Sequence, residues 1–465
     1  RTYFYVASII SKIYYNLAIL MGLIHQRSKK QGEARRRQIF FSEETYKTLE
    51  FRYGKVEREK ADSGVQYVKG WTLLPQERFR GTTKREIISQ VDIDFGTGKD
   101  NQIGCNLYCG YCFTTQNPEH PRGEGRFKNQ TNQRRISQEK MQTTLTELKQ
   151  DFGLKQVKIV GEGETLDHGK SSRNGWDMLR FIRFTSEELN VPLLIFTSGY
   201  DFLIKHPEVK GNTPSDKIDY VIDLLADSHV SIMLKWQHVD PDVERSICQP
   251  SNPTWPTIYR DIIMKKMINN PRFVGEELEK KRFGIENVLA TSDVPILLAG
   301  YKYFLLKGAF YDGDPPMPSG RTASLEEAYK AGMMSKDKLE DLIIGIHLIN
   351  RQAGLSFEGI SPYLGKPRCH QLRDGIYITS KGNILECCGS YNDPLGNIEN
   401  DSIRNIVKRN NFLAQNMNEE ANNQLRYDEK NGYHDCIFRQ QRGMLNSTDI
   451  DKLEIELKEI GIKKI

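Results

Sequence analysis

The sequence predicts an α/β fold, in which short strands alternate with helices around a mostly parallel sheet. Two patterns lead to this prediction: short apolar runs recur from about residue 87 onwards, and longer helical stretches separate them. Length is the third observation. A chain of 465 residues can bury a sizeable core, and one α/β domain of about 200–250 residues with flanking pieces fits it.

Each predicted element rests on its local pattern. The strand candidates are the apolar runs 88–95, 157–160, 193–197, 231–235 and 283–289. Helices are predicted at 137–152, 176–189, 259–268 and 325–350. A further apolar stretch at 296–310 and a Pro/Gly-rich loop at 314–321 precede the last helix. Ligands bind such sheets at the carboxyl ends of the strands, so we expect the functional residues there.

Positive charge is concentrated near the amino end. Residues 1–60 carry 13 Lys and Arg against 6 Asp and Glu, while the whole chain has a net charge of +5. A basic run at 27–37 is most often a solvated arm, so we expect neither nucleic acid nor a membrane as partner. The apolar run 3–24 indicates either a membrane anchor or residues that precede a natural start at Met21. We favour the second interpretation, in which residues 1–20 are not native.

The cysteines point to metal binding. Eight in so long a chain are few for a disulfide scaffold, and most of them cluster on short motifs. This usage is typical of a reducing compartment, so we predict a cytoplasmic protein.

The most informative motif is a glycine-rich loop with Cys105, Cys109 and Cys112. Thiolates at spacings of three and two residues can hold three corners of an iron–sulfur cube and leave the fourth iron open to a small molecule. Zinc is the alternative, but it usually takes paired C-x2-C knuckles with a fourth ligand nearby, and none follows here.

This loop resembles the signature of the radical S-adenosylmethionine superfamily, C-x3-C-x2-C with an aromatic residue before the last cysteine, where Tyr111 stands. The resemblance implies a partial (β/α)6 barrel, a [4Fe–4S] cluster on the three thiolates, and S-adenosylmethionine on the fourth iron. It also implies an external one-electron reductant such as flavodoxin or ferredoxin. One electron then cleaves the cosubstrate to a 5′-deoxyadenosyl radical, which abstracts hydrogen from the substrate.

Three strand ends supply candidates for binding the cosubstrate. Gly163 and Glu164 follow the second strand and match the superfamily's GGEP segment, which implies that they hold the methionyl amine. Ser198 follows the third strand and Lys235 ends the fourth. By the same resemblance they contact the ribose and the carboxylate, although such residues also occur at strand ends for capping or solvation.

A second cysteine pattern lies in the carboxyl-terminal part. Cys369 and Cys387 flank a predicted β hairpin, which would bring them together, and Gly382 lies in its turn. The pattern resembles the opening of the SPASM/twitch extension found on many radical S-adenosylmethionine enzymes. That extension binds one or two auxiliary clusters. Structural thiols around a small hairpin are the alternative.

The resemblance implies one auxiliary [4Fe–4S] cluster, because few cysteines follow the hairpin. Its ligands would be Cys369, Cys387 and Cys436. Cys388 or His434 could be the fourth ligand, or the position could be open to substrate. Cys248 belongs to neither set; it is either a half-buried thiol or a catalytic donor that returns hydrogen to a substrate radical, as in epimerising members of the family.

These features predict four regions: an extension at 1–87, a radical core at 88–345, a small α+β cluster-binding extension at 346–440 and a terminal helix at 441–465. We expect an enzyme of oxidoreductase type that oxidises or crosslinks a peptide. A dehydrogenase or epimerase of a sugar-like molecule is the main alternative. Less favoured are RNA modification and a non-enzymatic role, as an iron–sulfur electron carrier or a zinc module.

Overall fold

A computed structural model of the chain describes fourteen stretches or single positions, all within the unit Phe41–Asp451. They are residues 41–61, 69, 88–94, 107, 109–112, 136–160, 164, 177–199, 206–277, 280–290, 293–314, 334–355, 375–386 and 394–409. Of the predicted site residues, Cys105, Gly163, Cys369, Cys387, Cys388, His434 and Cys436 lie outside them.

One sheet organises the described residues. Its strands are β1 Gln90–Ile93, β2 Gln156–Ile159, β3 Leu193–Thr197, β4 Ser231–Lys235, β5 Phe283–Val288, β6 Phe310–Asp314, β7 Gly375–Ile378, β8 Asn383–Leu385 and β9 Gly396–Asn397. The strand order is β6-β5-β4-β3-β2-β1-β7-β8-β9. Neighbours from β1 to β6 are parallel and follow chain order. Strands β1 and β7 are also parallel, although they are not consecutive in the chain, whereas β7–β8 and β8–β9 are antiparallel.

The described ranges contain ten α-helices, of which α1 precedes the sheet, α10 follows it and the others lie between strands. They are α1 Glu43–Tyr53, α2 Gln138–Phe152, α3 Met178–Arg183, α4 Pro214–Asp227, α5 Pro241–Cys248, α6 Asp261–Ile268, α7 Pro271–Val274, α8 Val294–Lys307, α9 Lys336–Gln352 and α10 Ile403–Arg409. Two π-helical turns adjoin them, Phe184–Glu188 after α3 and Pro256–Arg260 before α6.

Local sequence explains where several helices begin. The Ser137 hydroxyl accepts the backbone N–H of Lys140 and caps α2, which buries Met141, Leu145 and Leu148 on one face. At the start of α4, Thr213 and Asp216 form a capping box ahead of a proline in the first turn. Such caps satisfy N–H groups that have no partner inside the helix.

The predicted fold class is confirmed: an open, largely parallel α/β sheet of six βα-type strands with a small antiparallel addition. The strand predictions agree with the structure to within two residues at each end. Several described elements were not predicted from the sequence. The stretch at 296–310, which had no assignment, is mostly α8 followed by the start of β6. Helices α1, α4, α5, α7 and α10 had no prediction either. Helix α9 begins at Lys336, later than the predicted 325, and residues 315–333 lie outside the described ranges.

The predicted hairpin is β7 and β8, and it extends the main sheet. Strand β7 pairs with β1 in parallel, residue 90 opposite residue 375. The Tyr377 hydroxyl donates to the Asp94 carboxylate, just beyond the end of β1. The first strand of the predicted hairpin is therefore bonded to the strand that leads into the cysteine loop.

Helix α1 lies within the region predicted as an amino-terminal extension, yet it packs on the helices that cover the sheet. The Tyr303 hydroxyl of α8 donates to the Gly54 carbonyl at 2.8 Å, and the Tyr53 hydroxyl donates to Asp261 of α6 at 2.7 Å. No helix in the described ranges combines the length and the apolar character needed to cross a membrane. The predicted regional boundaries remain predictions.

Candidate functional site

The carboxyl edge of the parallel sheet gathers the candidate residues that the structure describes. Lys235 is the last residue of β4, Ser198 follows β3 directly, and Glu164 lies five residues beyond β2. Parallel strands end at the same edge of a sheet, so these side chains from neighbouring strands converge. Sequence position alone placed all three at this edge.

The cysteine loop is joined to the segment after α5. The backbone N–H of Cys112 donates to the Cys109 carbonyl at 3.1 Å and forms a tight turn. Leu107 forms an isolated antiparallel bridge with Pro250. Cys109 is buried, Cys112 is half-buried, and an apolar cluster that includes Leu107 and Trp255 packs around them. The chain thus holds two of the three motif thiols on one turn beside an apolar wall.

Lys235 and Cys248 lie beside Cys109 and lower the pKa of its thiol. The Lys235 ammonium lies 3.4 Å from Cys109 Sγ and 4.6 Å from the ring centroid of Tyr111. A hydrogen bond from the Cys248 thiol is the largest influence that lowers the pKa of Cys109; burial opposes it, and Lys235 adds to it. Burial, followed by the hydrogen bond to Cys109, raises the pKa of Cys248 well above its usual range.

Tyr111 stays a neutral phenol at this site. Burial, followed by the charges of Cys109 and Cys248, raises its pKa well above the ordinary value. Its hydroxyl lies 3.7 Å from Cys248 Sγ, and Cys248 Sγ lies 3.6 Å from Glu244 Oε1. Cys248, which sequence reasoning set apart from both cysteine patterns, is thus fully buried and bonded to the same loop.

Glu164 is held by the end of β3. Its carboxylate accepts the backbone N–H of Ser198 at 2.7 Å and both the Ser198 and the Thr197 hydroxyls. The carboxylate is buried, so these charge-assisted bonds fix its orientation in a site with little water. Ser198, predicted to contact a ribose, orients the predicted amine ligand here.

Trp255 contacts both the end of β3, which holds Glu164, and the apolar cluster around Cys109. Its indole N–H donates to the Ser198 carbonyl at 3.1 Å, and its ring belongs to the apolar cluster around Cys109 and Cys248. The turn after Ser198 requires glycine, because Gly199 has a φ of +71° and an added Cβ would lie 3.0 Å from Ile263 Cδ1. Sequence reasoning did not identify Trp255.

A buried ion pair close to the site was also not identified from the sequence. Glu244 of α5 and Arg260 lie 3.0 Å apart, and both side chains are 0% exposed. Glu244 also accepts the backbone N–H groups of Gln237 and His238, directly after β4. Although burial disfavours its charge, Glu244, Tyr53 and Asp261 together raise the pKa of Arg260. Glu244 lies within α5 and Arg260 ends the π-helical turn before α6, and the local sequence of neither segment carries a signal of this pairing.

The described residues fit a thiolate-bound iron cluster. They supply soft sulfur donors, a depressed cysteine pKa, a nearby ammonium and an apolar wall that limits water. No group of three or more metal-ligating side chains occurs in the described part of the chain, which contains only two of the motif cysteines. The roles predicted for the site residues remain predictions, as does the whole auxiliary ligand set, which lies outside the described ranges.

The fold is similar to solved structures of two other proteins. Native anSMEcpe with bound AdoMet is 14% identical, with 68% of this chain and 80% of that chain covered and a TM-score of 0.42. The complex of anSMEcpe with AdoMet and the Cp18Cys peptide has 14% identity, coverage of 68% and 79%, and a TM-score of 0.41. BtrN in complex with AdoMet and 2-DOIA has 13% identity, coverage of 69% and 82%, and a TM-score of 0.31.

No protein-family model matches the sequence, and no curated protein does so. At the identities above, the similarity concerns the fold alone. The sheet has six parallel strands in chain order with the cysteine loop after the first, as the resemblance to the radical S-adenosylmethionine superfamily implied. The open, largely parallel sheet is thus the fold class that the sequence predicted.

Proposed function

We propose that this chain is a radical S-adenosylmethionine enzyme. The contact that carries the proposal is the one between the Lys235 ammonium and Cys109 Sγ, 3.4 Å apart at the carboxyl edge of the sheet. It joins one thiol of the cysteine motif to the end of β4, at the edge where this type of sheet binds ligands. An electron carrier or a zinc module would not require the buried Glu164 at the same edge.

When bound, the [4Fe–4S] cluster supplies the electron for cleavage of S-adenosylmethionine to methionine and the 5′-deoxyadenosyl radical. The chain's own residues would bind the cluster, orient the cosubstrate and shield the radical from water. Cys109 and Cys112, with Cys105, are the proposed ligands of the cluster. Glu164, fixed by Ser198 and Thr197, accepts the methionyl ammonium, and Gly163 lets the backbone approach. The apolar cluster around Trp255 limits access of water to the radical.

The metal content tests this proposal. Anaerobically reconstituted protein should absorb broadly near about 400 nm and hold roughly eight irons per chain, as two cubane clusters require. Replacing Cys105, Cys109 and Cys112 together with Ala should leave about four. Cys248→Ala is the matched control, because that thiol lies in the same cluster of side chains but is not a proposed ligand. Stoichiometric zinc without iron would contradict the proposal.

The auxiliary cluster is a separate part of the proposal. Support comes from the hairpin of β7 and β8, which Cys369 and Cys387 flank in the sequence. We assign Cys369, Cys387 and Cys436 as its ligands. Cys387→Ala should then lose about four irons and substrate turnover, while cleavage of S-adenosylmethionine without substrate continues. A Cys387→Ala enzyme with full iron and full turnover would exclude this assignment.

A peptide is the proposed substrate class, with net oxidation or crosslinking as the reaction. An auxiliary cluster beside the radical site can accept the electron that a substrate radical leaves, which favours net oxidation. One similar structure is a complex with a peptide and another is a complex with 2-DOIA, so the fold does not choose between a peptide and a small molecule. A sugar-like substrate remains the second candidate.

A substrate screen separates the two classes. The enzyme, a reductant such as flavodoxin or ferredoxin, and S-adenosylmethionine would be incubated in parallel with pooled peptides and with pooled amino sugars. We expect 5′-deoxyadenosine formation to rise with peptides, together with loss of hydrogen from one peptide by mass spectrometry. Stimulation by sugars alone would favour the dehydrogenase or epimerase. An epimerase that uses Cys248 as its hydrogen donor would stop turning over in Cys248→Ala and still cleave S-adenosylmethionine.

A further inference from the structure

We propose that Lys235 raises the reduction potential of the cluster through a charge-assisted hydrogen bond to the Cys109 sulfur. The proposal rests on the proposed function, since it requires an iron–sulfur cluster on the cysteine loop. Lys235 would then act on the cluster through Cys109, in addition to the cosubstrate contact predicted from the sequence. The role belongs to the resting enzyme, before any cosubstrate is present.

Two contacts direct the ammonium towards the loop. Lys235 Nζ lies 3.4 Å from Cys109 Sγ, within hydrogen-bond range for sulfur, and 4.6 Å from the Tyr111 ring centroid. Cation–π attraction to Tyr111 favours the same side-chain direction. Because Lys235 ends β4, its backbone is fixed by parallel pairing with β5, residue 235 opposite residue 286. The ammonium is thus held by a strand rather than by a mobile loop.

The electrostatic consequence follows from the charge of the reduced cluster. Reduction adds one electron, and its charge spreads over the irons and their sulfur ligands. A positive charge and an N–H donor at a ligand sulfur stabilise this state more than the oxidised one. Cys109 is buried, so water and salt screen the interaction only weakly. Lys235 therefore makes the cluster easier to reduce.

The proposed redox role and the predicted cosubstrate contact can be separated. An ammonium has three N–H donors, so a bond to Cys109 leaves capacity for a carboxylate. A residue that only binds the cosubstrate would change the affinity for S-adenosylmethionine and leave the potential of the cosubstrate-free cluster unchanged. A residue that acts on the cluster would change that potential.

The experiment is a redox titration of reconstituted full-length protein without cosubstrate, followed by electron paramagnetic resonance. The signal to follow is the one that disappears when Cys105, Cys109 and Cys112 are all Ala. In Lys235→Met the ratio of reduced to oxidised cluster at a fixed potential should fall about tenfold, which is a shift of about 59 mV to lower potential for a one-electron couple. Lys235→Arg keeps the charge and should stay near the wild-type value.

Lys302→Met is the matched control. Lys302 also contacts aromatic rings, with Nζ 4.8 Å from the Phe41 centroid, but it lies on α8 away from the cysteine loop. Its substitution removes the same charge from the chain and should leave the potential unchanged. An equal shift in this variant would show that net charge, and not the contact with Cys109, sets the potential.

Each other result for the Lys235 variants and for the wild-type protein also decides for or against the proposal. If Lys235→Met retains its iron and its potential matches wild type, the proposal is wrong, and a weakened affinity for S-adenosylmethionine would then assign Lys235 to the cosubstrate alone. If Lys235→Met binds no cluster, Lys235→Gln is measured instead. Should that variant fail too, the lysine is needed for assembly and not for tuning, which also overturns the proposal. Wild-type protein that binds no iron would refute the proposed function itself.

Discussion

Glu244 should be one of the most costly side chains to remove from this chain. It is fully buried, pairs with Arg260 at 3.0 Å, and accepts the Gln237 and His238 N–H groups at 2.9 and 2.6 Å. Breaking a buried ion pair from one side typically costs about 3–5 kcal/mol. Since Asp261 remains beside Arg260 at 2.7 Å, some of that cost is offset. We expect Glu244→Ala to lower the free energy of unfolding by about 3–4 kcal/mol.

The assay is urea unfolding of the metal-free protein, followed by circular dichroism. Glu277→Ala is the control, because Glu277 forms an exposed pair with Lys280 at 3.0 Å and should cost about 1 kcal/mol or less. Replacing both Glu244 and Arg260 with apolar residues of similar size should cost less than the two single changes together, since no buried charge is left alone. A Glu244→Ala protein within about 1 kcal/mol of wild type would refute this reasoning.

Three further predictions concern the site and its support. Glu164→Ala should weaken binding of S-adenosylmethionine by about 1.5–3 kcal/mol in calorimetry, the range for a hydrogen bond to a charged group; unchanged affinity would mean that the amine site lies elsewhere. Gly300→Ala places a Cβ 2.5 Å from Trp236 Cη2, so overpacking of about 1–3 kcal/mol should outweigh the gain of about 1 kcal/mol in helix propensity, and a higher melting temperature would contradict this. Cys248→Ala should keep its iron content, because Cys248 supplies no proposed ligand; loss of about four irons would make it one.

Much of the sheet could be predicted because buried strands are apolar and β-branched. Strands β3 and β4 lie where the apolar runs predict them, and the hairpin around Gly382 follows from its turn. Helix α4 was missed although its start carries a capping box and a proline, signals that need no tertiary contact. Helix α8 is apolar nearly all round, so its pattern did not separate helix from strand.

For the candidate site, the sequence indicated which residues to consider but not the contacts that they make. Motif spacing and strand ends are visible in the sequence, and they named as candidates five residues that the structure describes near one another: Cys109, Tyr111, Glu164, Ser198 and Lys235. Their actual partners were not visible. That Ser198 bonds to Glu164, and Lys235 to Cys109, depends on the register of neighbouring strands and on loop conformation.

The buried supports of the site leave no local trace in the sequence. Glu244 and Arg260 stand sixteen positions apart on different helical segments, and only the packed structure brings them to 3.0 Å. Trp255 is similar, since its bond to the Ser198 carbonyl spans 57 residues. Contacts at such separations follow from the tertiary fold, which a reading of local pattern does not supply.

Formation of 5′-deoxyadenosine tests the central claim most directly. Anaerobically reconstituted protein would be mixed with dithionite and S-adenosylmethionine, and the products separated by liquid chromatography. We expect 5′-deoxyadenosine and methionine in equal amounts from the wild-type chain, and none from Cys109→Ala, because the loss of one thiolate leaves the cluster labile and without a defined open iron. Wild-type protein that carries its cluster and forms no 5′-deoxyadenosine, or a Cys109→Ala variant that forms as much as wild type, would contradict the account.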